Sequence, residues 1–264
     1  MGLGIFDLSG KVAIVSGAAS GMGRATAIAL AEHGAKLLLI DLNEEGLKQT
    51  QTMIAASGPR PTIQICDTSD LAMIGKLFAK LDLEMGRIDF LANIAGEGIL
   101  AKPENITQEQ LLTVFQNLVF GRFAMCQEAG KRMLTQGNGS IVNIGSLASN
   151  TALGRGHIAY SMAMGAVVQM TRELSTEWAR RGVRVNAILP AQVMNPSLEK
   201  RIAADPSMEQ KWLSGIPRGR LGNPKDIQGL MVLLASDASS WITGTLIPMD
   251  GGNLAMNAGG TIGT

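Results

Sequence analysis

The sequence predicts an α/β fold with a doubly wound parallel sheet, on two observations. First, short apolar runs alternate with longer segments of helical period along the whole chain. Second, the runs are too uniformly apolar for half-exposed strands, which indicates strands covered on both faces by helices. Such alternation is typical of a parallel sheet between two helical layers. The seven predicted strands are 12–16, 36–40, 62–66, 88–92, 140–144, 183–189 and 246–249.

Helical segments fill the intervals between these strands, and nothing marks a domain boundary. They are predicted at 22–33, 44–56, 71–85, 108–135, 159–181 and 224–236. The chain has 264 residues and no linker, charge block or internal repeat, so we expect a single domain over 1–264. The segment 191–220 breaks the alternation and carries three prolines. It is typical of a substrate lid, with a purely structural insert as the alternative.

Composition narrows the function classes. Apolar residues make up 46% of the chain and charged residues 17%, which is too apolar for disorder. The formal net charge is +1 and no basic run occurs, so no nucleic-acid partner is expected. Without a targeting segment or an apolar run of about 18 residues, we expect a cytoplasmic protein without membrane contact. Cys66 and Cys126 are expected to be reduced core thiols, with no disulfide framework and no metal site.

A glycine-rich turn follows the first predicted strand and opens the first predicted helix. Gly17 permits a sharp turn, Gly21 lets the backbone approach a pyrophosphate, and Gly23 lets helix and strand pack closely. The helix N-terminus adds free N–H groups and a positive dipole end. Strand, glycine turn and helix together predict a Rossmann-type fold that binds a dinucleotide, with Ser20 and Met22 in the same turn.

An acidic residue, Asp41, ends the second predicted strand and is followed by Leu42. A carboxylate at this place accepts hydrogen bonds from both hydroxyls of the adenosine ribose, and it would repel the 2′-phosphate of NADP. We therefore expect NAD(H) as the cofactor. Two alternatives stay open: Asp41 is a solvated acid at a strand end, or Arg24, near the turn, meets a phosphate.

Further motifs lie in or directly after the later predicted strands and within the later predicted helices. Cys66-Asp67-Thr68 comes after the third predicted strand and Asn93-Ile94-Ala95-Gly96 after the fourth. Later motifs are Asn117, the run 141–146 that ends at Ser146, Tyr160, the run 184–190 and Asp250-Gly251-Gly252. With the glycine spacing, these motifs resemble the short-chain dehydrogenase/reductase family over nearly the whole chain.

The resemblance implies seven parallel strands and a homotetramer or homodimer formed through the two long helices. It also implies which residues meet the cofactor, with Asp67 near the adenine and Val193 or Asn195 near the nicotinamide carboxamide. The implied cofactor-binding residues are Gly17, Ser20, Gly21, Met22, Gly23, Asp41, Leu42, Asp67, Thr68, Asn93, Ala95, Gly96, Tyr160, Pro190, Val193 and Asn195.

The resemblance further implies the catalytic groups. Tyr160 is the implied general acid/base, Ser146 holds the same substrate oxygen, and Asn117 anchors a water. In the family, a lysine four residues after the tyrosine binds the nicotinamide ribose and lowers the tyrosine pKa from about 10. Here that position is Met164, which has neither charge nor donor. Because general acid/base catalysis contributes ~10²–10⁴ in rate, turnover at neutral pH is expected to fall heavily.

Three explanations for Met164 compete. It is an engineered substitution that traps a dead complex, or it belongs to a natural variant whose tyrosine is tuned by another cation. In the second case Arg155 and His157, just before Tyr160, are the candidates. In the third case the protein is a catalytically silent NAD(H)-binding subunit of a hetero-oligomer.

Substrate residues are expected in the loops that follow the carboxyl ends of the strands. The candidates are Glu97, Ser146, Arg155, His157 and Gln192, although Arg155 and His157 are equally read as solvated loop residues. This polar set favours a polyol, sugar or sugar-acid-like alcohol over a steroid. We therefore predict an NAD(H)-dependent oxidoreductase that interconverts a secondary alcohol and a ketone.

Overall fold

Seven parallel strands form one sheet in the computed structural model, which describes residues 4–56 and 58–256. The spatial order is β3-β2-β1-β4-β5-β6-β7, and every neighbouring pair is parallel. This confirms the predicted doubly wound α/β sheet. The strands are β1 Val12–Ser16, β2 Lys36–Asp41, β3 Thr62–Ile65, β4 Phe90–Asn93, β5 Gly139–Ile144, β6 Val183–Pro190 and β7 Leu246–Met249.

The sheet order changes direction beside β1, and this places the functional site. Chain order runs outward from β1 through β2 to β3, and then starts again at β4 on the other side of β1. The crevice outside the carboxyl ends of β1 and β4 is the point at which such sheets bind ligands. Strands β1, β4 and β5 are buried along their whole length, as expected for strands that helices cover on both faces.

Helices cover both faces of the sheet, and several of them begin at a side-chain cap. Asn43, Asp70 and Thr107 accept hydrogen bonds from the first free N–H groups of α2, α3 and α4. The helices are α1 Gly21–Glu32, α2 Glu44–Ala55, α3 Leu71–Glu84, α4 Gln108–Phe115, α5 Gly121–Gln136, α6 Ile158–Trp178, α7 Pro196–Ala204, α8 Ser207–Leu213 and α9 Gln228–Ala235.

The long helix predicted over 108–135 is interrupted. A π-helical turn, Gln116–Phe120, separates α4 from α5. A π turn holds one more residue than an α turn, so it changes which side chains share a face of the helix. Hydrophobic periodicity at 3.6 residues does not detect such a turn. Similarly, the helix predicted from 224 begins as a 3₁₀ turn, Pro224–Ile227, that Asn223 caps.

The insert 191–220 is folded and has its own small core. It contains α7 and α8, and the buried side chains of Leu198, Trp212, Ile216 and Leu221 pack together. Asn195 caps α7 by accepting a hydrogen bond from the Leu198 amide, with Pro196 in the first helical position. The insert therefore presents ordered side chains to the space that it covers.

Two large apolar cores flank the sheet, one on each face. The two cysteines, Cys66 and Cys126, are both free and buried in the second of these cores or at its edge. Within 4–56 and 58–256, no helix is both long and apolar enough to cross a membrane. The cytoplasmic location expected from the sequence stays a prediction.

Candidate active site

A cavity of about 500 Å³ opens where β4, β5 and β6 end, beneath the insert. It extends from the glycine turn at one end to α7 at the other. Most of the predicted nicotinamide and substrate residues line it, so the structure brings together groups from distant parts of the sequence. These are Ser20, Met22, Gly96, Glu97, Ser146, Arg155, His157, Tyr160, Pro190, Gln192, Val193 and Asn195.

The glycine turn has the geometry that a dinucleotide pyrophosphate requires. Gly17 and Gly21 have φ angles of +69° and +51°, in the left-handed region that favours glycine. A Cβ at Gly23 would overlap the carbonyl oxygen of Gly17, whereas a Cβ at Gly21 would meet open space. Ser20 precedes α1 without capping it through its side chain. The N-terminal N–H groups of α1 are thus without a side-chain cap, and the turn fits a bound phosphate.

The carboxylate of Asp41 is fixed beside this turn. Its two oxygens accept hydrogen bonds from the Ala19 amide at 3.1 Å and the Asn43 amide at 2.9 Å. The guanidinium of Arg24 donates to the Thr50 hydroxyl in α2 at 2.9 Å and to the carbonyl of Ala19 in the turn. The acid is therefore positioned at the end of β2, while the nearby arginine joins the turn to α2.

At the predicted adenine end, Asp67 and Thr68 form part of the turn before α3. Asp67 accepts hydrogen bonds from the amide and hydroxyl of Ser69 at 2.8 and 2.7 Å. The Thr68 carbonyl packs against Gly121, where a Cβ would overlap its oxygen. Leu42 is 65% exposed at the end of β2. These residues, with Asp41, lie outside the cavity lining.

Asn93 does not present its side chain to the cavity. Its amide is buried and donates to the Arg122 carbonyl and to Asn143 Oδ1, both at 3.1 Å. The side chain of Asn93 thus connects β4 to α5 and β5, and its predicted cofactor contact stays a prediction. The Ala95 amide donates to the hydroxyl of Ser16 at 3.0 Å, which holds the loop after β4 against β1.

Tyr160 and Ser146 face the same cavity from α6 and from the end of β5. Ser146 Oγ accepts a hydrogen bond from the Ala148 amide at 3.2 Å, so its hydroxyl hydrogen is left to donate. Gly98 lies against the tyrosine ring, since a Cβ there would be 2.7 Å from Tyr160 Cδ2. Asn117 lies in the π turn, with its side-chain nitrogen 3.5 Å from the Glu97 carbonyl.

Met164 lies one helical turn after Tyr160 and is buried away from the cavity. It packs in an apolar cluster with Val114, Leu118 and Val167, against which Tyr160 also packs. The side chain is 1% exposed. The position is therefore filled by an apolar group in apolar surroundings.

Of the two cations proposed from sequence near Tyr160, His157 contacts the tyrosine ring and Arg155 does not. The His157 ring meets the Tyr160 ring edge-on, with 6.1 Å between centroids. Burial lowers the pKa of His157, and the charges of Arg155 and Arg201 lower it further, so the imidazole is neutral at pH 7. Arg155 has a φ of +55° and places its guanidinium 5.9 Å from the Trp212 ring. Arg155 is thus directed to the insert.

Arg122, Arg201 and Trp212 are among the side chains that line the cavity and were not predicted from the sequence. Arg122 extends from α5 and is 3% exposed. Its guanidinium donates to the Ile144 carbonyl and, at 3.1 Å, to the Ala95 carbonyl. A signal existed in the sequence, since Arg122 is the only charged residue between Glu109 and Glu128.

Comparisons with known proteins agree with this geometry. A family model described as enoyl-(acyl carrier protein) reductase matches residues 17–253. D-threitol dehydrogenase of Mycolicibacterium smegmatis is 39% identical over 247 residues, 94% of each chain. The chain belongs to the short-chain dehydrogenase/reductase family.

Other members of the family are similar over nearly their whole length. An NAD-dependent glycerol dehydrogenase of Listeria innocua is 36% identical, covering 94% of this chain and 95% of its own. A solved structure from Beutenbergia cavernae has a TM-score of 0.89 and 35% identity, covering 96% of this chain and 100% of that one. That protein is a putative NAD(P)-dependent gluconate 5-dehydrogenase with NADP bound at low occupancy.

Proposed function

We propose that this protein is an NAD(H)-dependent oxidoreductase that interconverts a secondary alcohol and a ketone on a polyol or sugar-acid-like substrate. The observation that carries the proposal is one cavity shared by Tyr160, Ser146 and the glycine turn, which reaches it through Ser20 and Met22. Relatives that act on threitol, glycerol and gluconate support the substrate class.

The chemistry divides between the cofactor and two side chains. When bound, the nicotinamide gives hydride to the substrate carbon or takes it. In reduction, the Tyr160 hydroxyl gives its proton to the carbonyl oxygen, and the Ser146 hydroxyl donates a hydrogen bond to the same oxygen. In oxidation, the Tyr160 phenolate takes the proton of the alcohol. Asn117, in the π turn, is proposed to anchor a water nearby.

The turn and the end of β2 are proposed to hold the other parts of the cofactor. Gly17, Gly21 and Gly23 shape the pyrophosphate site, and the α1 N-terminus faces it. Asp41 accepts hydrogen bonds from the adenosine ribose, and its charge opposes a 2′-phosphate. The hydrogen bonds that Arg24 makes to Thr50, Gly46 and Ala19 support the same choice, because they occupy its donors.

Two arginines at the insert end of the cavity favour an anionic substrate. The guanidinium carbons of Arg155 and Arg201 lie 5.9 and 5.6 Å from the Trp212 ring. Neither forms an ion pair with a carboxylate in the described part of the chain. Burial lowers the pKa of Arg155, as does the charge of Arg201. A substrate carboxylate would offset the repulsion between the positive charges of Arg155 and Arg201, which favours a sugar acid over an uncharged polyol.

The test is a comparison of NADH formation on a hexitol and on the hexonate of the same configuration. We expect turnover on the hexonate, and we expect Arg201→Gln to raise the KM for the hexonate about tenfold, because a hydrogen-bonded charge is lost. The KM for the hexitol should not change. Lys200→Gln is the matched control, since Lys200 is exposed on the same helix and does not line the cavity. An equal effect of Arg201→Gln on both substrates would contradict the sugar-acid assignment.

The second candidate function is a catalytically silent NAD(H)-binding subunit, which Met164 favours. Both candidates bind NADH, so binding does not separate them. Turnover does: an absence of turnover in the wild type and in Met164→Lys over a panel of polyols, sugar acids and ketones would favour the silent subunit.

We also propose a homo-oligomer, a tetramer or dimer formed through α4, α5 and α6. Large apolar side chains on these helices are 42–56% exposed in the single chain: Leu112, Phe120, Phe123 and Met162. A second copy of the chain would cover them, which supports the assembly implied by the family.

A further inference from the structure

One indole in the insert has an unused hydrogen-bond donor at the end of the cavity. Trp212, in α8, lines the cavity and is 7% exposed. Its Nε1 is buried and has no hydrogen-bond partner in the part of the chain that the structure describes. A buried indole N–H usually finds an acceptor, because it has lost its contact with water. Since Trp212 lines the cavity, a ligand that binds at this end can supply the acceptor.

Two positive charges from separate segments lie against the same ring. The guanidinium carbon of Arg155, in the loop before α6, is 5.9 Å from the ring centroid, and that of Arg201, in α7, is 5.6 Å from it. A cation is attracted to the face of an aromatic ring, which holds both groups near the indole. Two like charges beside one ring also repel each other, so an anion that joins them stabilises the arrangement.

Within residues 4–56 and 58–256, no carboxylate forms an ion pair with either arginine. Glu97 is the one acid among the described residues that line the cavity, and it is not paired with them. Arg155 donates from Nε to the Leu153 carbonyl at 3.3 Å, which leaves its terminal nitrogens for another acceptor. The insert end of the cavity thus combines an unused neutral donor with two positive charges, and such a donor set suits a carboxylate.

The loop that carries Arg155 has an unfavourable backbone conformation. Among the described residues, Arg155 is the only one other than glycine with a positive φ, at +55°. Residues with a side chain rarely adopt this region, and they persist there where the surrounding structure imposes it, often at ligand sites. Here the Ala101 amide donates to the Gly156 carbonyl at 2.9 Å, which fixes the loop next to Arg155. The fixed loop brings the Arg155 guanidinium to the Trp212 ring.

We propose that the Trp212 indole N–H donates a hydrogen bond to the carboxylate of a sugar-acid substrate, while Arg155 and Arg201 supply the opposite charge. The inference rests on the proposed alcohol–ketone chemistry and deepens it, because it assigns a specificity-determining residue to the insert. The carboxylate binds at the insert end, and the alcohol carbon extends towards Tyr160 and Ser146, which line the same cavity. A hexitol offers only a hydroxyl to the indole, and a hydroxyl oxygen accepts a weaker hydrogen bond than a carboxylate.

The first test measures binding without turnover. The protein–NADH complex is titrated in a calorimeter with D-gluconate and with D-glucitol, because a nicotinamide that is already reduced does not oxidise an alcohol. We expect Trp212→Phe to weaken gluconate binding by about tenfold or more, since a hydrogen bond to a charged group is lost while an aromatic ring remains. NADH affinity should not change. Trp241→Phe is the matched control, because Trp241 is 98% exposed and does not line the cavity.

A second variant separates the donor from the size of the ring, since phenylalanine is smaller than tryptophan. A tryptophan analogue at position 212, in which sulfur replaces the ring N–H, keeps the shape of the indole and removes the donor. We expect it to weaken gluconate binding as Trp212→Phe does and to leave glucitol binding little changed. Its melting temperature should equal that of the wild type, because Nε1 has no partner among the described residues. Wild-type affinity for gluconate in this variant, or an equal loss for glucitol, would overturn the proposal.

The second test asks whether the indole and Arg201 hold the same group. Trp212→Phe is combined with Arg201→Gln, and gluconate affinity is measured for the two single variants and the double variant. If both residues contact one carboxylate, the double variant should lose less affinity than the product of the two single losses. In the control cycle with Lys200→Gln, the losses should multiply. Losses that multiply for Arg201 as well would show that the two residues act on different groups, which would overturn the proposal.

The two tests separate this inference from the proposed function. If the wild type turns over no substrate, the proposed function fails, yet the calorimetric titration still reports whether Trp212 binds the carboxylate. If the wild type oxidises gluconate but Trp212→Phe binds and oxidises it with wild-type constants, the proposed function stands and the role of Trp212 is rejected.

Discussion

At the residue scale, the proposed preference for NAD(H) depends on one carboxylate. Asp41 is held at the end of β2 by two backbone amides, with its charge beside the glycine turn. This arrangement needs only an acid at the strand end and a glycine turn before it, and both are visible in the sequence. The hydrogen bonds of Arg24 to α2 and to the turn were not visible, because they depend on the packing of α1 against α2.

For Asp41→Asn we expect the preference for NADH over NADPH to shrink from at least several-fold to near unity. The substitution removes the charge that opposes a 2′-phosphate and keeps the size of the side chain. Fluorescence titration with each reduced cofactor measures both affinities. Glu45→Gln is the control, since Glu45 is an exposed acid in the first turn of α2. Equal affinities for NADH and NADPH in the wild type would rule out the assignment of Asp41.

The sequence identified Tyr160 and Ser146 as site residues but not Arg122, for a physical reason. Tyr160 and Ser146 lie in motifs whose spacing is local to one helix and one strand end. Arg122 follows a π turn, which changes the face on which a residue lies, and its partners are carbonyls at the carboxyl ends of β4 and β5. A regular 3.6-residue pattern places it on another face.

At the element scale, the π turn and α5 depend on close backbone packing at Gly121. A Cβ at this position would overlap the carbonyl oxygen of Thr68, in the loop that is proposed to lie near the adenine. The Gln116 side chain donates to the Ser69 carbonyl at 2.8 Å, which joins the same two segments. The loop after β3 and the start of α5 are thus packed as one unit.

We therefore expect Gly121→Ala to lower the free energy of unfolding by about 1–3 kcal/mol, the usual cost of overpacking. NADH affinity should fall as well, because the Thr68 loop must move. Gly75→Ala in α3 is the matched control: a Cβ there meets nothing within 4 Å, and alanine should stabilise the helix by up to about 1 kcal/mol. Denaturant unfolding measures both variants. Equal stability of the two would show that the contact at Gly121 relaxes without cost.

The insert shows which contacts a prediction of helices and strands from sequence does not include. Its prolines and position indicated a lid, and Asn195 was identified within it. The sequence did not predict that Arg155 and Arg201 both lie against the Trp212 ring. Arg155 comes from the loop before α6, Arg201 from α7 and Trp212 from α8. Contacts between separate segments on one aromatic ring leave no periodic trace in the sequence.

At the scale of the whole molecule, the strand order explains why the site is where it is. The uniformly apolar strands predicted a parallel sheet, and parallel strands bring their carboxyl ends to one edge. Loops after β1, β4, β5 and β6 then meet at the switch point beside β1. The fold could be predicted because apolar runs and glycine turns are local signals. The cavity could be predicted only in outline, because its walls also include α5 and the insert.

The central claim, that Tyr160 exchanges a proton with the substrate while the glycine turn holds the dinucleotide, has a direct measurement. Steady-state NADH formation on the hexonate is compared for the wild type, Tyr160→Phe and the neighbouring control Ser161→Ala, with NADH affinity measured for each. We predict that Tyr160→Phe lowers kcat by about 10²-fold or more at unchanged NADH affinity, and that Ser161→Ala behaves as the wild type. A Tyr160→Phe protein that turns over at the wild-type rate would contradict it.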